Sequence, residues 1–85
     1  MLKIKNNVDL KQLEKFGLKK AIEKSLLNTE IKGYKCLLEE GAVFIDNRSR
    51  NIDLLCNYFG DVNYEDFADV LFDLIQAGFV EKVEE

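Results

Sequence analysis

Between residues 63 and 79, apolar side chains return at helical spacing. Phe67, Val70, Leu71, Leu74 and Ile75 recur at intervals of three and four, the period of one helix face. At about 100° per residue, Ala68 and Phe72 widen the apolar arc to roughly 200°. Glu65, Asp69, Asp73 and Gln76 fill the rest of the circumference. Local signals punctuate both ends. Asn63 is a good N-cap, with Val62 and Phe67 spaced for a hydrophobic staple. Glu65 and Asp66 stand where the helix dipole favours negative charge. Gly78 suits the left-handed C′ position, and Phe79 would fold back on Leu74. The spacing predicts a helix over 64–77.

A second start signal lies near the N terminus. Asp9 can cap, Gln12 stands three residues on, and Val8 with Leu13 makes a staple. Gly17 offers a stop and sets Leu18 toward Leu13. This predicts a short helix over 10–16. Before it, residues 2–5 alternate apolar and basic, as a short edge strand would. After it, 18–28 is ambiguous. Leu18, Ile22 and Leu26 share a helical face, and Ala21, Glu23 and Lys24 favour helix. We expect a short helix there, with entry into sheet as the alternative.

From Ile31 the period changes to two. Tyr34, Cys36 and Leu38 alternate with Lys35, Leu37 and Glu39, which predicts a strand buried on one face. Glu39-Glu40-Gly41 is a tight connection, and 42–46 forms a second strand. Residues 46–51, Asp-Asn-Arg-Ser-Arg-Asn, are rich in turn formers. Ile52, Leu54, Cys56 and Tyr58 alternate again. The expected fold is therefore α+β: a three-stranded antiparallel meander over 31–38, 42–46 and 51–58, with both helices against one face. A last short strand is expected from Phe79 to Val83, with Glu84-Glu85 frayed.

Eighty-five residues make a single small domain with one modest core. Residues 1–40 hold nine Lys and six acids, a balance of +3; residues 41–85 hold three basic residues and ten acids, a balance of −7. Two meanings compete. The halves attract one another within the fold, or opposed patches meet between copies in a homodimer. No apolar run is long enough to span a membrane, and the start, Met-Leu-Lys-Ile-Lys-Asn-Asn, lacks the apolar core of a secretory signal. Two cysteines are too few for a disulfide scaffold of this size. We expect reduced thiols and a cytoplasmic protein.

The chemistry is sparse. Histidine is absent, which removes the commonest general base and neutral metal ligand. Cys36 and Cys56 face inward on strands flanking a common neighbour, roughly 10 Å apart, too far for a disulfide. Asp61, Asn63 and Glu65 faintly match the start of a calcium loop, but Asp66 stands where Gly is needed and Phe72 where Glu is needed. No catalytic, cofactor or metal residue is expected. Two surfaces remain. Phe72 stands at the rim of the apolar arc beside Glu65, Asp69 and Asp73, where it either packs under a neighbouring loop or forms a partner surface. Lys32, Lys35, Arg48 and Arg50 make a small basic patch, few charges for nucleic acid and without stacking aromatics.

The opening Ile-Lys-Asn-Asn-Val-Asp-Leu-Lys-Gln-Leu-Glu-Lys-Phe-Gly (4–17) resembles small proteins of unassigned function from Gram-positive bacteria and their phages or mobile elements. The ending Leu-Phe-Asp-Leu-Ile-Gln-Ala-Gly-Phe-Val-Glu-Lys-Val (71–83) resembles theirs. That resemblance speaks to fold and implies no activity. The ending also resembles winged-helix domains, where an apolar helix runs through Ala-Gly-Phe-Val into the wing. Here it follows the hairpin, and no basic recognition helix precedes it. The expected function is a non-enzymatic interaction or regulatory module that binds another protein or a second copy. The alternative is a nucleic-acid-associated regulator using the basic patch.

Overall fold

The alternation after Ile31 does become sheet, and the sheet has one strand more than the period-two pattern alone predicts. A computed structural model describes residues 1–38, 41–56 and 64–83. Strands β1 (Leu2–Ile4), β2 (Lys19–Lys24), β3 (Glu30–Leu38), β4 (Gly41–Asp46), β5 (Ile52–Cys56) and β6 (Val80–Lys82) accompany a 3-10 helix (Leu10–Phe16) and an α-helix, α1 (Tyr64–Gln76). β2, β3, β4 and β5 form an antiparallel meander in that order, and β1 pairs β6 antiparallel in a separate ribbon. The fold is α+β, as expected, with four meander strands in place of three.

The extra strand corrects the helix expected after Leu18. Gly17 adopts φ +86° and ends the 3-10 helix. Its N–H reaches Glu14 O at 3.2 Å and Leu18 N–H reaches Leu13 O at 3.3 Å, the two bonds of a Schellman ending. The chain then extends, and Lys19 through Lys24 pair with Lys35 through Glu30. A compact turn makes this possible. Ser25 O accepts from Asn28 N–H, Ser25 N–H donates to Thr29 O, and the Ser25 hydroxyl oxygen accepts from Leu27 and Thr29 N–H. Asn28 takes the left-handed conformation at φ +64°, which Asn tolerates better than most residues. Six ladder pairs outweigh the modest helix preference of Ala21, Glu23 and Lys24.

The middle of the sheet follows its sequence closely. Tyr34 lies opposite Ile45, and Cys36 opposite Val43; Val43 and Ile45 in turn face Leu54 and Ile52. These residues share the inner face. β4 is buried along Gly41 to Ile45 on both faces, which is why Ala-Val-Phe-Ile shows no alternation. On the outer face the Phe44 ring lies over Gly33. A Cβ on Gly33 would come within 2.7 Å of Phe44 Cζ and would collide with the Ile45 carbonyl oxygen. The glycine makes room for the ring, an arrangement that shields an exposed sheet face. Leu37 stands on that outer face and is exposed.

Both helices cover the inner face. The core cluster joins Ile4, Leu13, Leu18, Tyr34, Val43, Ile45, Ile52 and Leu74, so every layer contributes. The 3-10 helix is capped as expected: the Asp9 carboxylate accepts from Lys11 N–H at 3.0 Å, and Val8 packs against the core beside it. α1 ends with a second Schellman pair, Gly78 N–H to Ile75 O at 2.9 Å and Phe79 N–H to Leu74 O at 3.1 Å, with Gly78 at φ +77°. Phe79 meets Phe16 edge to face, ring centres 5.6 Å apart, tying the two helix ends together. β6 then pairs with β1, Lys3 opposite Glu81, with their charged ends 3.6 Å apart. The caps assigned to Asn63 and Val62, the turn at Glu39-Glu40, the strand end at 57–58, the loop start at Asp61 and the frayed Glu84-Glu85 lie outside the described residues.

Candidate interaction surface

A helix lying on a sheet buries one side. On α1 that side is Phe67, Val70, Leu71 and Leu74: Leu74 is fully buried and the other three are partly buried against the core. The 200° arc read from the sequence is wider than the sheet can cover. Ala68, Phe72 and Ile75 are exposed, Phe72 at 58% and Ile75 at 50%. Packing of Phe72 under a neighbouring loop is not what is found. The three residues are neighbours at spacings of three, four and seven, so they form one strip along the helix. Glu65, Asp69 and Asp73 run beside it and are also exposed. Within α1 there are four acidic residues and no basic one. The result is an apolar strip bordered on one side by carboxylates.

The four basic residues do not come together. Arg50 is turned inward. Its guanidinium Nη1 donates to Lys5 O and to Val8 O, both at 2.7 Å. Its own carbonyl accepts from Ile4 N–H at 2.9 Å. It pins the N-terminal segment to the β4–β5 turn, where it holds a left-handed position at φ +63°. Lys35 stands on the outer sheet face in an ion pair with Glu23, Nζ to Oε1 2.5 Å. Lys32 and Arg48 line a shallow depression together with Glu30 and Asp46, so acids interleave with the bases. Of the patch, Arg48 alone is an exposed arginine, its backbone N–H held by the Asp46 carboxylate at 2.7 Å. The inward role of Arg50 had no signal in the sequence, because its partners are 42 and 45 residues away.

A second apolar surface was missed with β2. The β2–β3 turn carries Leu26, fully exposed, and Leu27, 88% exposed, with Ile22 exposed on the strand behind them. Lys20, Lys24 and Lys32 share the face of Ile22, with Glu30 directly opposite Lys24, while Lys19 and Lys35 lie opposite one another at the far end of the hairpin from the turn. Ile22 also lines a shallow hollow of about 570 Å³ with Lys20, Lys32 and Asn47. The signal was available in Ser25-Leu26-Leu27-Asn28-Thr29, whose ends carry turn chemistry.

Among the described residues no group of three or more His, Cys, Asp or Glu is gathered to hold a metal ion. Cys36 is a free thiol, half-buried against the core, its Sγ 3.9 Å from Leu37 O. The side chain of Cys56 lies outside the described set. No described helix is long and apolar enough to cross a membrane. α1 runs through Ala77, Gly78 and Phe79 into a strand, as a winged helix does, but that strand pairs with β1 at the other end of the chain. No protein family, curated protein or solved structure was found to match this chain.

Proposed function

We propose that this protein is a non-enzymatic interaction module whose binding face is the exposed strip of α1. The observation that carries the reading is Phe72, with Ile75 and Ala68 beside it, exposed on a helix whose opposite side is already committed to the core. Aromatic residues at the centre of a small apolar patch with a charged rim are the usual anchors of protein recognition. Asp69 and Asp73 at the rim select a partner segment that is basic as well as apolar, because opposed charges speed encounter and reject acidic competitors. The dispersal of Lys32, Lys35, Arg48 and Arg50 supports this reading over a nucleic-acid-associated one, which needs several cations on one face.

A photo-crosslinking residue at position 72, compared with one at position 37, tests the reading in extracts of the source cell. Position 37 is exposed on the outer sheet face and serves as control. The expected result is a discrete crosslinked product from position 72 that disappears when Ile75 is changed to Gln. Equal labelling from both positions would contradict it.

A further inference from the structure

We infer that the partner of the α1 strip is the β2–β3 hairpin of a second copy of this chain. This rests on the reading of α1 as a binding face. The chain displays two exposed apolar clusters, and their charges are opposite. The hairpin presents Leu26, Leu27 and Ile22 beside Lys20, Lys24 and Lys32 with one acid, Glu30, among them, while α1 presents Phe72 and Ile75 beside Asp69 and Asp73.

Each surface has what the other lacks. Leu26 and Leu27 sit at a turn held by Ser25 and Asn28, so they are offered on a formed hairpin, and docking loses little conformational freedom. Phe72 and Ile75 stand one helical turn apart, a spacing that takes two adjacent leucines as neighbouring anchors. Lys20 and Lys24 lie on β2 behind the tip, and Asp69 and Asp73 border the strip. Lysine against aspartate then lines one side of the apolar contact, a charged rim beside an apolar core. Lysine also keeps the β2 edge from pairing blindly with other strands, which leaves the tip as the contact.

The contact joins unlike patches. It closes as a pair when each copy lends its hairpin to the other's helix, and otherwise continues head to tail. Few side chains take part, so it belongs to the small, transient class of interfaces, with a dissociation constant on the order of 100 μM. Because its rim is charged and exposed, raising NaCl from about 50 to about 500 mM weakens it several-fold.

Sedimentation velocity from about 10 to 500 μM at low salt tests the inference with two exposed double variants. Leu26→Ser/Leu27→Ser removes the hairpin cluster, and Phe72→Gln/Ile75→Gln removes the helix strip. Circular dichroism confirms that both fold. The wild type is expected to shift to dimer or larger, and each variant alone to stay monomeric. An equal mixture of the two regains a 1:1 complex, because one intact hairpin then meets one intact helix. A wild type monomeric at 500 μM, association that survives either double variant, or a mixture that stays monomeric would overturn the inference. Binding of phosphatidylserine vesicles through Leu26 and Leu27 by a chain that never self-associates would assign the tip to a membrane and overturn it too. If self-association fails while position 72 still crosslinks in extracts, α1 remains a binding face and only the identity of its partner is wrong.

Discussion

Replacing Arg50 with Ala removes the two donations to Lys5 O and Val8 O and leaves the N-terminal segment held to the β4–β5 turn by backbone contacts such as Ile4 N–H to residue 50 O. Bonds from a charged donor to partly buried carbonyls are worth more than neutral ones. The expected loss is about 2–3 kcal/mol by chemical denaturation. Arg50→Lys recovers only part of it, since an ammonium lacks the planar fork. Arg48→Ala, on the same turn but exposed, should change stability by less than about 0.5 kcal/mol. Equal effects at the two positions would sink the inward role assigned to Arg50. Gly33 makes a second single-residue test. A methyl there meets the Ile45 carbonyl and the Phe44 ring, so Gly33→Ala should cost about 1–3 kcal/mol. The companion change Phe44→Leu relieves the ring contact but not the carbonyl, and so rescues little. None of this is readable from sequence: Gly33 sits inside a strand pattern with no turn around it, and the partners of Arg50 are far along the chain.

At the scale of elements, α1 offers the sharpest contrast. Leu74 is fully buried, and its neighbour Ile75 is half exposed. Leu74→Ala should cost about 2–5 kcal/mol, while Phe72→Gln or Ile75→Gln should stay within about 0.5 kcal/mol of the wild type. Thermal melts read the difference directly, at roughly 4–8 °C per kcal/mol for a domain of this size. Comparable losses at 74 and 75 would mean that the helix is turned differently on the sheet. What was legible here was local. Asp9, Gly17 and Gly78 act on the backbone within one turn, and each cap is where the spacing put it. β3 and β5 were legible from their alternation, and β4, buried on both faces, lies between them. β2 was not, because Leu18, Ile22 and Leu26, in and around it, mimic a helical face and Ala21, Glu23 and Lys24 favour helix. Pairing with β3 decided the matter, and pairing is a non-local term. The exposed side of α1 was left open by the sequence for a related reason. An apolar arc gives the side chains that want cover, and only the neighbouring layer decides which of them get it.

For the molecule as a whole, the uneven charge along the chain has a structural expression. A balance of +3 over residues 19–35 lies in one hairpin at the sheet edge, and −4 lies on one helix. Both carry apolar side chains that the single core does not use. A dilution series of amide spectra, from about 1 mM to 20 μM at low salt, asks whether those two surfaces find each other. We predict concentration-dependent shifts confined to residues 22–28 and 68–76, fading together as NaCl is raised. Spectra that do not change on dilution, or shifts centred on the outer face around Leu37, would contradict the account.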